Sequence, residues 1–301
     1  MKQATRLKSV TAKAILLAFT VIIQSVTAQV VVFSTDFDSG TPAQFTGVTN
    51  TESVQGYSGI GPVGSKFGGL FLRNASLSSP TSLTLTGLPP HTEISLSFLF
   101  AAIDTWDGTF SVQTAPVPDY FNVTVDGTSI FSQTFCNYNL GGGIQTYVPP
   151  AEVLLTTKPY PELGFQIRPG NPPDFGDSAY DLGQDRAFQN IAHSASTLTI
   201  SWFANGAGWQ GGDDESWAID NVTVTALVAV PTLNIARSGQ SLTLSWPVSF
   251  SGFILESAAS LSPPVQWQAV TNSVTNLGAV LSVMVPLDNA ARFFRLKYQH
   301  P

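Results

Sequence analysis

Hydrophobic and polar residues alternate with a period of two over many short stretches of this chain. That period places successive side chains on opposite faces of an extended strand. Glycine, proline and other turn residues separate the stretches, as is typical of short strands joined by tight turns. In the first two thirds of the chain the alternation predicts strands at 31–37, 70–72, 82–86, 94–102, 121–126, 130–135, 198–203 and 217–226. We therefore expect an all-β fold built as a sandwich.

Two connections stand out between these predicted strands. Asp126-Gly127 separates two alternating runs and is a strong signal for a tight hairpin. Residues 137–185 instead carry paired prolines, three consecutive glycines and little alternation. We expect this segment to be a long loop insertion outside the sandwich. Loops of that length in a compact domain are often functional, so it is a candidate ligand-facing surface.

The alternating pattern of the first part stops after Ala226, where a short apolar stretch ends at Pro231. Short alternating runs follow at 242–247, 253–257, 267–270, 281–285 and 293–296. About seventy residues with this pattern predict a second, smaller sandwich. We expect Trp246 and Trp267 to lie in its core, because aromatic side chains supply much of the apolar burial in small domains. The predicted division is 1–28, 29–227 and 228–301.

The first 28 residues predict a signal peptide. Four basic residues precede an apolar run from Ala14 to Ile23, and Val26-Thr27-Ala28 provides small residues for cleavage after Ala28. The apolar run is shorter than the roughly 20 residues of a membrane-spanning helix, which disfavours the alternative of an uncleaved anchor. No second segment of this kind follows, so we expect a secreted or cell-surface protein without a transmembrane segment after cleavage.

Cleavage at that point would change the charge balance. It would leave nine basic against twenty acidic residues, a net charge of −11. Nucleic acids and anionic membranes are bound through basic clusters, so neither is an expected partner. Divalent cations and neutral polar ligands fit better. The lone Cys136 excludes an internal disulfide, although export would permit one.

Acidic residues occur where predicted strands begin or end, and one lies within the last strand of the first module. A carboxylate in an apolar strand requires a partner. Calcium takes six to eight oxygen ligands and tolerates irregular loops, whereas three scattered histidines and one cysteine make zinc a poor fit. The alternative is that these aspartates only start turns. The candidate calcium ligands are Asp36, Asp38, Asp104, Asp107, Asp119 and Asp220.

The opening Asp36-Phe37-Asp38, the strand–loop–strand region from 96 to 135 and the closing Trp217 to Val222 resemble the jelly-roll domains of secreted bacterial proteins. The region from 30 to 227 is distantly similar to MAM, concanavalin-like and carbohydrate-binding sandwiches. The resemblance implies that an acid on the first strand and Asp220 lie close together around a structural cation. MAM domains carry paired cysteines, which this chain does not. The last module resembles fibronectin type III repeats.

Exposed aromatic side chains beside acidic loops suit sugars, whose apolar faces stack on indole rings. The candidate ligand contacts are Trp106, Trp209, Trp217 and Glu215, and the glycine-rich surroundings of Trp209 predict that its ring is exposed. Trp217 begins a strand and is equally compatible with a core position.

The sequence therefore favours a secreted, non-enzymatic protein that binds a polysaccharide or glycan surface with calcium, its second module docking other surface components. One alternative is a structural matrix protein without a small ligand. Another is a polysaccharide hydrolase, with Glu215 and Asp107 as its carboxylate pair. No Gly-x-Ser-x-Gly motif supports a serine nucleophile.

Overall fold

The computed structural model describes residues 27–53, 56–109, 118–137, 144–156, 176–212, 214–287 and 291–299. The predicted signal peptide lies outside the described residues except for Thr27 and Ala28, which begin the first strand. The predicted all-β fold is confirmed. Within the described residues, none of the helices has the length and hydrophobicity that crossing a membrane requires.

The first part of the chain forms two antiparallel sheets that pack face to face. Its strands are β1 Thr27–Thr35, β2 Phe45–Gly47, β3 Thr51–Ser53, β4 Leu70–Asn74, β5 Thr81–Thr86, β6 His91–Asp104, β7 Tyr120–Val125, β8 Thr128–Thr134, β9 Leu154–Thr156, β10 Ser178–Asp181, β11 Ile191–Ala192, β12 Thr197–Asn205 and β13 Glu215–Ala229.

The larger sheet has eight strands, built around the long pair β6 and β13. Its order is β3-β4-β13-β6-β10-β9, with β1 also pairing with β13 and β11 with β6. The register runs from Glu215 opposite Asp104 to Val228 opposite His91. It shifts just after Asp220, where Asn221 has a left-handed φ of 51°. This irregularity bends the central strand beside the candidate ligand Asp220.

The smaller sheet has five strands in the order β2-β5-β12-β7-β8. Asp126 and Gly127 join β7 to β8 with φ values of 48° and 78°. Both residues lie in the left-handed region that a type I′ hairpin turn requires, so the predicted hairpin is confirmed. Side chains that alternate inward from both sheets form the main core, which is rich in aromatic rings, among them Phe98, Phe100 and Trp202.

The segment 137–185 does not lie wholly outside the sandwich. In its described parts, β10 pairs with β6 over four residues, and β9 pairs with β10. Ala179 and Tyr180 are buried against the larger sheet. The prediction of a simple excursion was wrong because the alternating stretch Ser178–Asp181 is too short to stand out among the prolines and glycines around it.

The last part of the chain forms two smaller sheets, of orders β14-β15-β19-β18 and β17-β16-β20. Trp246 is buried in the core between them, as predicted. Trp267 is not: it is partly exposed, with the Arg295 guanidinium 4.2 Å from its ring centre. The strands are β14 Asn234–Ser238, β15 Ser241–Pro247, β16 Phe253–Ala258, β17 Gln268–Ala269, β18 Val274–Asn276, β19 Val280–Pro286 and β20 Phe293–Tyr298.

The boundary between the two parts falls close to the junction in the sequence. Strand β13 continues to Ala229, and β14 begins at Asn234. Phe253 and Tyr298 of the last part belong to the same apolar cluster as the main core. The division at residue 227 and the fibronectin-like character of the last part stay predictions.

Candidate metal centre and binding face

Three carboxyl groups meet at one end of the sandwich. Asp107 follows β6, Asp119 directly precedes β7, and Glu215 is the first residue of β13. One oxygen from each lies within 4.8 Å of the others. Asp119 and Glu215 are fully buried, and Asp107 is half-buried. Residues far apart in sequence thus form one acidic cluster, which we call the acidic triad.

Backbone groups hold the triad in position. The Asp107 N–H donates to Asp119 Oδ2 at 2.7 Å, and the Gln210 N–H donates to Glu215 Oε2 at 2.8 Å. Gly108 lies between the two loops with a φ of 72°, and a Cβ at this position would lie 2.8 Å from the Cβ of Cys136. Glycine is therefore required where the chain turns from Asp107 towards Asp119.

Two buried oxygens of the triad have no hydrogen-bond partner among the described residues. In the part of the chain that the structure describes, neither Asp119 Oδ1 nor Glu215 Oε1 has a partner, although both atoms are buried. A buried polar atom without a partner costs about 1–3 kcal/mol. Native structures rarely tolerate two such atoms in one cluster, so these oxygens point to an ion or a proton that the triad holds.

The triad has raised pKa values. Burial raises the pKa of Glu215 to about 9, and the neighbouring charges of Asp119, Asp107 and Asp214 add to the effect. Burial likewise raises the pKa of Asp119 to about 7 and that of Asp107 to about 6. Without a cation, the triad therefore retains protons near neutral pH. A bound divalent cation would displace them and keep the carboxylates ionised.

The donor set suits a hard cation. Carboxylate oxygens are ligands for calcium and magnesium, and irregular loop geometry favours calcium, which accepts variable coordination. Asp214, next to Glu215, brings a fourth acidic side chain whose charge acts on all three members. The acidic triad could therefore hold a metal ion. Calcium as that ion, with Asp107 and Asp119 among its ligands, stays a prediction.

Glu215, predicted as a ligand contact, belongs to the acidic triad, whereas Asp104, predicted as a metal ligand, does not. Asp104 has a left-handed φ of 66°, and its N–H donates to Asp177 Oδ1 at 3.0 Å. The charge of Asp104 acts on Tyr57, whose pKa is raised by burial and then by Asp177 and Asp104. Asp104 therefore lies outside the triad because its backbone turns away at the end of β6.

The remaining predicted metal residues form a separate acidic group. Burial raises the pKa of Asp220 to about 7, and the charges of Asp38 and Asp36 raise it further. Asp220 Oδ2 accepts from the Gly68 N–H at 3.2 Å, and Asp38 Oδ1 accepts from the Leu70 N–H at 2.8 Å. The first and last strands do bring these acids together. A cation among them stays a prediction, since these contacts pair the oxygens with backbone N–H groups.

The three tryptophans predicted as sugar contacts are buried. Trp106 and Trp217 are fully buried, and Trp209 is 8% exposed. The Trp209 Nε1–H donates to Ser76 O at 3.1 Å, and its ring centre lies 5.2 Å from that of Trp106. The predicted exposure of Trp209 was wrong, because its glycine-rich loop folds back onto the sandwich. These rings pack beside the acidic triad and in this structure present no open face to a ligand.

Sequence reasoning missed the outer face of the five-stranded sheet. Its side chains alternate with core residues and carry no charge. Most are hydroxyls, with two amides and two aromatic rings. We call this surface the hydroxyl face, and it consists of Thr46, Ser82, Thr84, Thr86, Tyr120, Asn122, Thr124, Ser129, Ser132, Thr197, Thr199, Ser201, Phe203 and Asn205.

Hydrogen bonds connect the hydroxyl face across its strands. Ser82 Oγ lies 2.7 Å from Ser201 Oγ, and the Ser132 hydroxyl donates to Asn122 Oδ1 at 2.7 Å. Asn122 Nδ2 in turn donates to Asn205 Oδ1 at 2.9 Å. These contacts hold donors and acceptors in fixed positions. Repeated threonine in Thr81–Thr86 and Thr197–Asn205 is the sequence signal that could have indicated this surface.

Comparisons with known proteins leave the family open. The sequence matches no protein-family model and no curated protein. Among solved structures, the chain is similar to dimeric latent PorU from Porphyromonas gingivalis, with 11% identity, a TM-score of 0.32, and coverage of 86% of this chain. It spans about a fifth of that protein, covering 21% of its chain.

Two further similarities are of the same low order. The N-terminal CBM22-1-CBM22-2 tandem domain of Paenibacillus barcinonensis Xyn10C has 10% identity and a TM-score of 0.27, with coverage of 92% of this chain and 93% of that one. The Agl-KA catalytic domain has 12% identity and a TM-score of 0.25, with coverage of 66% and 30%. Scores this low carry no argument about function, which therefore depends on the site itself.

Proposed function

We propose that this protein binds a neutral polysaccharide through the hydroxyl face, in a sandwich that calcium stabilises at the acidic triad. The observation that carries the proposal is the absence of charge from all fourteen side chains of that face. The whole chain has 20 acidic residues, which lie elsewhere. An uncharged surface rich in hydroxyls and amides matches the donors and acceptors of a sugar chain and lacks the cations that an anionic ligand requires.

The aromatic rings of the face support the same ligand. Tyr120 and Phe203 are half-buried and occupy diagonal positions on the neighbouring strands β7 and β12. Diagonal neighbours on one face lie about 7–8 Å apart, so both rings are available along one extended ligand. Their apolar surfaces would contact the ring faces of sugars, while the exposed Asn205, opposite Tyr120, offers an amide group. This arrangement replaces the tryptophans that the sequence had suggested.

The acidic triad supports a binding protein rather than a hydrolase. One oxygen from each carboxyl group lies within 4.8 Å of the others, and Asp119 and Glu215 are fully buried. Glycosidases hold the sugar between their two carboxyl groups, which must therefore be accessible to it. A buried cluster suits a structural cation better. We accordingly propose a non-enzymatic role for a protein exported by its predicted signal peptide.

Retention on polysaccharides tests the proposed ligand. The test uses purified protein of residues 29–301 in a buffer that contains calcium. Neutral polysaccharides, either insoluble or embedded in a gel, should retain the protein, and anionic polysaccharides should not. Phe203→Ala should weaken retention about tenfold or more, because truncating an aromatic anchor of a binding surface typically costs about 2 kcal/mol or more. Phe293→Ala removes a ring of similar size that is 39% exposed in the last module and serves as the matched control.

The outcome separates the alternatives. Equal retention of the wild type and Phe203→Ala would place the binding surface elsewhere. No retention on any neutral polysaccharide would overturn the proposal and favour a structural matrix component. Placing a charge on the face by Thr199→Lys should also abolish retention, since a buried lysine beneath a sugar would lose its hydration.

A further inference from the structure

Two histidines that are far apart in sequence meet at the end of the sandwich opposite the acidic triad. His91 Nε2 lies 2.6 Å from His193 Nδ1, and the rings stack with centres 4.9 Å apart. His193 Nε2 lies 3.0 Å from Asp126 Oδ2, and His91 Nδ1 lies 2.6 Å from Pro89 O. His91 is 6% exposed, so the contact is shielded from water.

The partners determine where the protons lie. Pro89 O can only accept, so His91 carries its proton on Nδ1 and offers a lone pair at Nε2. His193 Nδ1–H then donates to that lone pair. The carboxylate of Asp126 can only accept, so it favours a second proton on His193 Nε2. Every contact is satisfied when His193 is an imidazolium and His91 is neutral.

The spacing between the imidazoles indicates a proton rather than a metal ion. Zinc binds imidazole nitrogens at about 2.0–2.1 Å, so two nitrogens sharing one ion lie more than 3 Å apart in tetrahedral geometry. The observed 2.6 Å is too short for that. It suits one hydrogen bond between a charged donor and a neutral acceptor.

The contact joins the two sheets. His91 begins β6 in the eight-stranded sheet, and Asp126 lies in the hairpin turn of the five-stranded sheet. Asp126 Oδ1 also accepts from the N–H of Thr199, a member of the hydroxyl face. The protonation state of the histidines therefore bears on β12 and on the edge of that face.

Few other charges face this contact among the described residues. Glu93 lies two residues from His91 on β6, opposite Ala192. Strands β11 and β12 carry no ionisable side chain. The acids of β6 and β13 at Asp104, Glu215 and Asp220 lie towards the other end of the register. The proton balance thus depends on the two histidines, Asp126 and, at a greater distance, Glu93.

We propose that His91, His193 and Asp126 form a pH-sensitive clasp between the two sheets, closed when the imidazole pair holds one extra proton. A second proton would place an N–H on His91 Nε2 facing the N–H of His193, and the contact opens. Loss of the extra proton would leave the His193 Nε2 lone pair facing a carboxylate, which also opens it. The clasp is closed between these limits.

Burial lowers the pKa of His91; the bond to Pro89 opposes that shift, and the charge of His193 lowers the pKa further. The second proton therefore arrives at a more acidic pH than for a free histidine. The clasp should remain closed through mildly acidic conditions and open as the pH falls further.

NMR of the imidazole nitrogens of the intact protein tests the clasp. The chain has three histidines, so comparing the wild type with His300→Gln identifies the signals of His91 and His193. At pH near 6.5 we expect His193 with both nitrogens protonated and His91 as the neutral Nδ1–H tautomer. Titration should show His91 gaining its proton below the pH of a free histidine, with the amide of Thr199 exchanging faster as it does.

A variant pair separates coupling from a fortuitous contact. Asp126→Asn should raise the pKa of His91, because the amide no longer favours a positive charge on the neighbouring His193 ring. Glu93→Gln is the matched control and should leave the titration of His91 unchanged. Titration of His91 at the ordinary value for a histidine, or identical titrations of His91 in Asp126→Asn and wild type, would overturn the clasp.

Discussion

Glu215 and Asp119 each keep one oxygen inside the protein without a hydrogen-bond partner among the described residues. At the scale of single residues, this cost is the reason to expect a ligand there, since a bare carboxylate cluster would repel itself. Calcium bound only by the folded state at a hundredfold over its dissociation constant adds about 2.7 kcal/mol. That corresponds to a rise of roughly 5 °C or more in the unfolding midpoint of a domain of this size.

The isosteric variants Asp119→Asn and Glu215→Gln should lose this calcium-induced shift. In chelator they should be at least as stable as the wild type, because they remove repulsion among neighbouring acids. Glu152→Gln, at an exposed acid away from the triad, should retain the full shift. Thermal unfolding with calcium, with chelator, and with calcium restored measures all three. A calcium shift that persists in both triad variants, and disappears in Asp220→Asn, would move the cation to the other acidic group.

The raised pKa values predict an unusual dependence on pH. In the folded protein the pKa of Glu215 is about 9, that of Asp119 about 7 and that of Asp107 about 6, all above their ordinary values. The folded state therefore binds more protons than the unfolded state. The stability that these extra protons contribute is present at pH 4 and is lost as the pH rises through the three pKa values.

In chelator, the unfolding midpoint should accordingly fall by several degrees between pH 5 and pH 9. Calcium should reverse the trend, since it binds the ionised form and its effect grows with pH. Glu215→Gln should flatten the decline in chelator. A midpoint that is constant or rises with pH in chelator would show that the triad is ionised without a cation.

Single residues also show what the sequence could reveal. Asp107 and Asp119 were predictable as members of one acidic group, because acids beside strand ends are visible in sequence. The third member was not, since only the pairing of β6 with β13 brings Glu215 to the same end. The exposure of Trp209 was predicted wrongly because a glycine-rich loop has no periodicity that would indicate the direction of the ring. The histidine pair left no sequence signal, as its members are separated by 102 positions.

At the scale of elements, period-two alternation predicted the strands of both sheets because each buries one face. It failed for β2, β3, β9, β10 and β11, whose two to four residues are shorter than a recognisable pattern. The Asp126-Gly127 turn was predictable because its backbone conformation admits few residue types. The hydroxyl face was overlooked because polar residues opposite a core are expected on any solvated sheet, and only the register shows that they form one continuous surface.

The turn at Gly108 gives a prediction at this scale. Gly108→Ala would add a Cβ within 2.6 Å of Ile144 O, at a φ of 72°. We expect a loss of about 3 kcal/mol in the free energy of unfolding, together with weaker calcium binding, because Asp107 and Asp119 flank the turn. Gly127→Ala has a similar φ of 78° but open space around it, so it should cost only about 1 kcal/mol. Urea unfolding of both variants measures the difference, and equal losses would contradict the packing argument.

At the scale of the whole molecule, the three features lie in different places and have separable effects. The acidic triad closes one end of the sandwich, and the histidine pair joins the sheets at the other. The hydroxyl face lies on the outside of the smaller sheet, between them. In the proposed function, removal of calcium from the acidic triad should therefore lower stability before it alters the hydroxyl face.

The hydroxyl face is a grid rather than a pocket. Neighbouring strands lie about 4.8 Å apart, so five of them offer successive rows over roughly 20 Å, and each row carries at least one hydroxyl group. A ligand on such a surface gains affinity with the number of strands it crosses, because each strand adds further contacts. Short oligosaccharides should bind weakly and long chains firmly, and a bound chain could shift by one row without leaving the protein.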